Sequence, residues 1–360
     1  MRRSYIFVFE MVTLGFLTHG EGNAGNQQIL RTQSALVPGE DGHLEKIEVP
    51  EVSGAAMRAT LREHAVMDYA DLAGIEEMSQ DRLRLLLKGG RNDAGGINVP
   101  ITEMREMRRK APLLALWGAM DGGYPLRGAL TVSPVRVFCR ELVDARLQPT
   151  EYTPPEGTGE PIRIFQGIAP IAVADCRGIL QNYKHDMRSS EAGKLLEGAV
   201  YNELEDRSAA RAEMKVADKE IRRAANESMP YSFQGIVPGT PMICEIRANQ
   251  ITDIELGCLQ RAIARWIASG AFLGGGASAG RGRCQVREIH GWQIASLNPI
   301  PAGSSTALLA KDQPASALYA EEIRKNAAEI RDWLSEDKGG PKEPKAAKGK
   351  KGKKDAEATA

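Results

Sequence analysis

The sequence predicts an α+β fold in which strands and helices follow one another without a repeated strand–helix–strand series. An apolar strand is predicted at about residues 4–18, and helices are predicted over 54–72 and 251–269. A glycine-rich loop links the second helix to a strand predicted over 284–294. Rossmann and P-loop proteins place their glycine loop after a strand and before a helix, so the reversed order here disfavours both folds.

Composition limits the classes of function. Lys and Arg together number 47, as do Asp and Glu, so the net charge is zero. Residues 338–360 hold eight lysines against three acidic residues, which leaves 39 basic and 44 acidic residues elsewhere. A globally basic nucleic-acid binder is therefore not expected, and RNA or DNA would bind in a local groove. Aromatic residues make up only 5% of the chain, so a surface built mainly on base stacking is not expected.

The cysteines and the opening residues bear on the compartment. Five cysteines without C-x-x-C spacing predict neither a disulfide framework nor a zinc site, and they fit a reducing cytoplasm. The apolar start resembles a signal peptide, but Glu10 interrupts it and no A-x-A-like cleavage site follows. Tyr5, Phe7 and Phe9 favour a strand, so we expect a buried opening strand, no membrane span and a cytoplasmic protein.

The first third of the chain carries clear local signals. "THGEGNAGNQQ" (18–28) is predicted as a loop, and "PGEDG" (38–42) as a hairpin turn. Ser53 is the predicted N-cap of the 54–72 helix, which ends near Gly74. Residues 75–111 are predicted to form a mobile excursion from the core. A short apolar helix, a glycine loop and a strand are expected after it.

The rest of the chain is predicted to contain a linker, a helical segment and the completion of the fold. Proline and glycine mark 148–163 as a linker or long loop, and 191–228 is helical in composition. The basic residues that recur every four positions within 207–223 interleave with acidic ones, so a solvated helix face is favoured. A strand–turn–strand is expected near 231–250, a last helix near 315–335, and a disordered tail from 336 onward.

The loop "FLGGGASAGRGRCQ" (272–285) points to phosphate binding. Five glycines leave backbone amides accessible, and Arg281 and Arg283 stand beside them. Alternation along a strand would direct both arginines to the same side. The alternative is a long turn that merely tolerates glycine.

Several segments together resemble the RAMP superfamily of CRISPR proteins. "VSGAAMRATLR" resembles that superfamily's G-S-S-L-K-G-x-L-R helix start, and "LWGAMDGGYPLRGALTVSPV" resembles its L-F-G…G-x-L-x-V-x-D-A segment. "VPGTPMICEI…ELGCLQRAIARW…LGGGASAGRGRCQV" resembles its ending, G-T-x-F…E-L-G-x-L-x-x-A-L…I-G-G-x-x-x-x-G-x-G-x-V. The four segments occur in the family's order over about residues 4–295. The best match is the backbone subunit, the Cas-seven family, in its type IV variant.

The resemblance implies an RRM-like (ferredoxin-like) palm with inserted finger and thumb segments. Many copies would polymerise along one guide CRISPR RNA, whose bases read a target nucleic acid of a plasmid or phage. Other effector subunits would be partners, with a helicase as one candidate, and no cofactor is implied. The implied segments are palm (1–74), finger-like insertion (75–111), palm (112–147), thumb-like helical insertion (148–230), palm completion (231–335) and tail (336–360).

Some candidate RNA-binding residues are transferred motif by motif, and the others are chosen from residue type and position. Gly54, Arg58 and Arg62 match the first glycine, the lysine and the closing arginine of the helix motif, whereas its two serines are Ala55 and Ala56 here. In the predicted thumb, Met187 would wedge between bases, with an exposed surface loop as the alternative. The complete predicted set is His19, Asn23, Asn26, Ser53, Gly54, Arg58, Arg62, Lys184, Met187, Arg188, Gly274, Gly275, Gly276, Ser278, Arg281 and Arg283.

We expect no catalytic residue and no metal. Related type III backbone subunits cut RNA with an aspartate in the loop after the first strand, and this loop has none. A RAMP ribonuclease acting on precursor or target RNA stays open as an alternative, and it would use His19 with Glu21, or His64 or His185. Two further functions stay open as well, a nucleotide-binding metabolic enzyme and a scaffold that binds no nucleic acid.

Overall fold

The computed structural model describes residues 2–24, 27–39, 41–90, 101–121, 124–152, 161–184, 229–294 and 313–335. The strands are β1 (Arg3–Thr13), β2 (Gly20–Ala24), β3 (Gln27–Leu30), β4 (Thr32–Pro38), β5 (Leu44–Val52), β6 (Ala119–Asp121), β7 (Tyr124–Leu126), β8 (Leu130–Val132), β9 (Val135–Val137), β10 (Glu151–Tyr152), β11 (Ile162–Arg163), β12 (Arg177–Lys184), β13 (Met229–Ile236), β14 (Pro241–Ile251) and β15 (Cys284–Ile294). The helices are α1 (Gly54–Ala73), α2 (Gln80–Lys88), α3 (Ile101–Lys110), α4 (Pro112–Trp117), α5 (Arg140–Asp144), α6 (Asp253–Ala268), α7 (Pro314–Lys325) and α8 (Ala327–Ser335).

The central sheet has a ferredoxin-like topology. Its strands lie in the order β15–β1–β14–β8, and every neighbouring pair is antiparallel. In chain order, β1, α1, β8, β14, α6 and β15 give the βαββαβ pattern of an RRM-like palm. This confirms the predicted fold class. Strands β9, β5 and β4 extend the sheet beyond β14.

Strand β1 is buried on both faces, as its apolar sequence predicts. Tyr5, Phe7, Phe9 and Met11 belong to the main core, which also contains the buried faces of α1 and α6. The alternate residues Ile6 and Val8 face a second, smaller cluster on the opposite side of the sheet. That cluster includes Trp292 and two phenylalanines, Phe138 and Phe165. The sheet is therefore covered on both faces at its centre.

The charge that interrupts the opening apolar stretch has a partner on β15. Glu10 is 3% exposed, and its Oε1 lies 2.8 Å from Nε2 of His290, which is 6% exposed. Glu288 lies at the rim of this pair, with Oε2 3.7 Å from the same nitrogen. A buried carboxylate needs such a partner, since burial without one costs several kcal/mol.

Helix α1 begins and ends where the sequence predicts. The hydroxyl of Ser53 accepts a hydrogen bond from the amide of Ala56, and Gly74 ends the helix in the left-handed conformation with φ of 63°. The first turn packs directly on the palm backbone. A Cβ on Gly54 would overlap the carbonyl oxygen of Val132, so only glycine allows this approach.

Residues 18–28 were predicted as a loop, but most of them belong to a second sheet. The predicted loop instead forms most of the hairpin β2–β3, and the predicted strand 4–18 ends at Thr13. The sheet order is β12–β13–β3–β2, with β3 parallel to β13. Local glycine content predicts a loop, but pairing with a strand about 200 residues away supplies the hydrogen bonds that make it a strand.

Three other segments differ from their predictions. Residues 80–88 are helical and packed, with Leu85 and Leu86 buried in the main core, so this part of the predicted excursion belongs to the body of the protein. The predicted linker contains the short antiparallel pair β10–β11. The last helix is divided into α7 and α8 at Asn326.

Two further observations concern the cysteines and the helices. All five cysteines are buried and unpaired, and burial raises the pKa of each thiol, to about 11 for Cys139 and Cys176. Among the described residues, no helix has the length and apolar character that crossing a membrane requires. The predicted helical segment at 191–228 and the predicted tail lie outside the described residues.

Candidate nucleic-acid interface

The glycine loop is docked on the connection between β1 and β2. The amide of Gly275 donates to the carbonyl of Thr18 at 2.8 Å, and the Thr18 hydroxyl donates to the Gly275 carbonyl at 2.9 Å. Further along, the Gly282 amide donates to Phe16, and the Leu14 amide donates to Arg283. These hydrogen bonds fix the loop on residues 14–18, while its tip at 274–280 is exposed.

Glycine is required at two of these positions for steric reasons. Gly274 and Gly282 both have φ of +73°, a region that favours glycine. A Cβ on Gly274 would overlap the carbonyl oxygen of Thr18, and one on Gly282 would overlap that of Leu273. The loop is therefore a constrained structure, and a turn that merely tolerates glycine does not fit these two contacts.

The two arginines of the loop do not alternate along a strand. Arg281 lies in a turn before β15 begins, and its guanidinium stacks 4.0 Å from the ring centre of Phe233 on β13. Arg283 is exposed. The prediction that strand alternation aligns them is wrong, because the strand starts only at Cys284. Arg283 is nevertheless available to a ligand, whereas Arg281 also holds the loop against the second sheet.

His19 joins the loop to the N-terminus of α1. Its Nε2 lies 3.2 Å from the hydroxyl oxygen of Ser53, the N-cap of the helix. Burial and, to a smaller extent, the nearby positive charge of Arg31 lower the pKa of His19 below its usual 6.5, which Glu51 partly offsets. The neutral form of the ring is therefore favoured at pH 7. The ring links the connection between β1 and β2 to the first turn of α1 by a hydrogen bond.

Arg31 sits in a short ion-pair chain close to His19. Its Nε is 3.4 Å from Glu51, which also approaches Arg136 at 3.5 Å. Glu51 is 3% exposed, whereas both arginine side chains are more than one third exposed. One buried carboxylate therefore pairs with two arginines. The net charge of these three side chains is positive.

The two arginines of the predicted helix motif have different roles. Arg58 is half-buried and donates from Nη2 to the Trp117 carbonyl at 2.6 Å, and burial lowers its pKa. Arg62 is 7% exposed and donates to the carbonyls of Leu85 and Leu86 at the end of α2. Its guanidinium thus stabilises a helix C-terminus inside the protein, and we leave Arg62 out of the proposed RNA surface.

The remaining predicted residues divide into three groups. Ser278 is exposed on the short 3-10 turn at 277–279, next to Gly276. Asn23 is exposed on β2, opposite Gln28, and Lys184 ends β12, opposite Met229. Asn26, Met187 and Arg188 lie outside the described residues. The structure thus brings His19, Ser53, Gly54 and the glycine loop together, with Asn23 and Lys184 on the adjoining sheet.

Sequence reasoning missed Phe233 and Arg31. The sequence marks Phe233 only as an ordinary strand residue, and Arg31 follows shortly after the predicted loop. Their place in the interface results from the pairing of β13 with β3. Only the charge of Arg31, within a few residues of the predicted loop, was a signal that could have identified it.

Comparison with known proteins finds a structural likeness. No family model matches the chain, and no curated protein matches it. A solved chain described as "Type IV-B CRISPR Complex" is similar, with 16% identity and a TM-score of 0.47 over 86% of this chain and 100% of that chain. The fold assignment rests on strand order and helix packing within this chain.

Proposed function

We propose that this protein is a guide-binding backbone subunit of a CRISPR effector complex, and that several copies of it assemble along one guide RNA. The observation that carries the proposal is the convergence of residues distant in sequence on one surface. His19, Ser53, Gly54 and the exposed tip of the glycine loop meet there, beside Arg283. Gly54 and the glycines of the loop are among the residues that the resemblance to RAMP backbone subunits selects.

The chemistry of this surface suits a phosphodiester backbone. Exposed backbone and arginine groups can hold phosphates without contacting base edges, so the surface would not read sequence. A subunit that holds any guide has this requirement, because base pairing by the guide supplies the specificity. The positive charge is local, which agrees with a body whose acidic residues outnumber the basic ones.

The proposed subunit is non-catalytic. His19 is engaged with Ser53, and Glu21 is exposed on β2. A general base needs to reach the proton that it removes, and a two-metal site needs several carboxylates. We expect His19→Ala and Glu21→Ala variants to leave any measured RNA cleavage unchanged, with and without Mg²⁺. Loss of cleavage in either variant would favour the ribonuclease alternative.

Purification from cells that express a CRISPR array tests the proposal. We expect large particles with an absorbance ratio at 260/280 nm typical of ribonucleoprotein, and bound RNA of defined length. Arg283→Glu should abolish most RNA retention, because it places a negative charge among the phosphates. Arg324→Glu, on the exposed side of α7, is the matched control and should retain RNA.

The opposite result has a clear meaning. A monomer free of nucleic acid, which also binds no guide RNA when RNA is added, would overturn the proposal. A thermal-shift screen with nucleotides would then test the metabolic enzyme, in which the glycine loop holds a mononucleotide. The scaffold function would remain if neither ligand bound.

A further inference from the structure

A cleft of about 770 Å³ opens on the other side of the first turn of α1. Its walls come from α1, α3, the segment that leads into β8, and the end of β14. It is distinct from the glycine loop, none of whose residues line it among the described positions. Its volume is in the range of pockets that take a small ligand or a short piece of a polymer.

The cleft concentrates positive charge. Arg2, Arg58, Arg108 and Arg127 line it, and no Asp or Glu is found among the described residues of its lining. The body of the protein has more acidic than basic residues, so four arginines without a carboxylate are a marked local excess. Four cations held near one another repel, and an anionic ligand would relieve that repulsion.

Two of the four arginines have a hydrogen-bond partner within the described part of the chain, and two do not. Arg58 donates to the Trp117 carbonyl, and Arg2 donates to the Gln250 carbonyl at 3.1 Å. Arg108 and Arg127, in contrast, have no hydrogen bond or ion pair to any described side chain or backbone group. Their neighbours on α3 do have a partner, since Arg109 and Lys110 both contact Glu329.

The floor of the cleft is nearly free of side chains. It contains Gly54, Ala55, Gly128 and Ala129. A Cβ on Gly128 would lie 2.5 Å from the Leu116 carbonyl oxygen and 2.6 Å from Nη2 of Arg58, so glycine there allows both the close backbone approach and the position of the guanidinium. Aromatic side chains are missing from the described lining, which removes stacking as a means of binding bases. Arginines over bare backbone suit phosphates.

We propose that this cleft binds the phosphodiester backbone of a single-stranded nucleic acid, as a continuation of the path that starts at the glycine loop. The inference rests on the proposed function, because it assumes that the glycine loop and the cleft hold the same strand. Continuity comes from three consecutive residues: Ser53 contacts His19, Gly54 abuts Val132, and Ala55 lines the cleft. The strand would cross the first turn of α1.

Binding of a fluorescently labelled single-stranded RNA to the full chain, measured by anisotropy at several salt concentrations, tests the cleft. The double variant Arg108→Ala/Arg127→Ala should weaken binding at least about tenfold, and lower the slope of log K against log salt by about 1.4, because two phosphate contacts are lost. Arg108→Lys/Arg127→Lys should restore most of the slope, since lysine keeps the charge.

Arg163→Ala/Arg324→Ala, which removes two exposed arginines from other surfaces, is the matched control. Arg58 is not varied, because its bond to Trp117 makes it part of the fold. Thermal unfolding of each variant checks that the fold is retained. Unaltered affinity and slope in the cleft variant would overturn the inference. So would normal RNA binding combined with loss of assembly, which would indicate an acidic protein segment as the ligand.

Arg283→Glu in the same assay separates this inference from the proposed function. Loss of binding in Arg283→Glu alone would retain the guide-binding surface and reject the cleft. Loss in the cleft variant alone would retain the cleft as a nucleic-acid site and reject the glycine loop. Loss in both supports one continuous path, and loss in neither rejects both.

Discussion

Two glycines of the exposed loop separate the effect of backbone conformation from the effect of close packing. Gly280 and Gly282 have nearly equal φ, +72° and +73°. A Cβ on Gly280 would meet no atom within 4 Å, whereas one on Gly282 would overlap the Leu273 carbonyl. The pair therefore provides its own control.

Gly280→Ala should lower the free energy of unfolding by about 1 to 2 kcal/mol, the cost of a left-handed alanine. Gly282→Ala should cost clearly more, about 3 kcal/mol or above, because the carbonyl contact and the bond to Phe16 must both give way. Denaturant unfolding measures both. Equal losses would mean that the loop relaxes freely and is not held by this contact.

His19 gives the interface a predictable pH dependence. Its pKa lies below 6.5 in the free protein, so the folded state binds fewer protons than the unfolded state as pH falls through 6.5. Its contribution to stability is therefore full above about 6.5 and is lost as the pH falls towards the lowered pKa. A bound phosphate would raise the pKa of His19. RNA binding would therefore be accompanied by uptake of a proton over the same pH range, below about 6.5.

We expect RNA affinity to rise severalfold as the pH falls from 7.5 to 5.5, because the protonated ring would pair with a phosphate. His19→Gln should remove this rise. His64→Gln should keep it, although the pKa of His64 is also lowered by burial, because that residue is part of neither surface. Identical pH profiles for the wild type and His19→Gln would show that no phosphate lies near this ring.

At the scale of elements, α6 and α7 pack at a distance that a single residue sets. Gly257 in the second turn of α6 faces the backbone of α7, and a Cβ there would overlap the Ala315 carbonyl oxygen. Helix propensity and packing therefore make opposite predictions for this position. Alanine normally stabilises a helix interior by up to about 1 kcal/mol relative to glycine.

Gly257→Ala should instead destabilise the protein by about 2 to 4 kcal/mol, because the backbones must separate and Tyr319 must move. The free energy of unfolding, measured by denaturant titration, decides between the prediction from helix propensity and the prediction from packing. Ala264→Gly, in the same helix, should show only the ordinary propensity loss of about 1 kcal/mol. A more stable Gly257→Ala variant would mean that α7 shifts without cost.

The elements also show which parts of the fold were predictable. Helix α1 was predicted almost to the residue, because Ser53 and Gly74 are local cap signals. The β2–β3 hairpin was missed, since its stability comes from β13 and not from its own glycine-rich sequence. Similarly, the break at Asn326 divides a segment that reads as one continuous helix.

In the interface too, features with local sequence signals were predictable and those that depend on distant contacts were not. The glycine loop was predicted because all of its signals lie within 14 residues of sequence. The basic cleft was not, because its four arginines are separated by up to 125 positions, and only the folded chain reveals that they share a cavity. Arg62 shows the reverse, since its motif indicated a ligand contact and the fold gives it a buried partner.

For the whole molecule, the distribution of charge determines how binding responds to salt. Removing residues 338–360 changes the net charge from zero to about −5. We expect this truncation to weaken RNA binding and to make its salt dependence shallower, because the lysines of the tail add non-specific contacts with phosphates. The spacing of subunits on the RNA should not change, since it depends on the folded body.

Anisotropy titrations at several salt concentrations measure the effect of the truncation. A full-length variant with the eight lysines changed to glutamine keeps the length of the tail, and should behave like the truncated chain. An unchanged salt slope in both proteins would show that the tail only improves solubility.

The central position of β1 has a consequence for the time course of folding. Val12 pairs with Pro241 and Ser4 pairs with Ile294, so the first partner of this strand is 229 residues away. At about 5 to 20 residues per second, a ribosome needs roughly 10 to 45 s to synthesise that length. During this interval an apolar, strand-forming segment has neither of its neighbours. Nascent β1 should therefore be a main chaperone-binding site of the chain, and an early point of aggregation when chaperones are limiting.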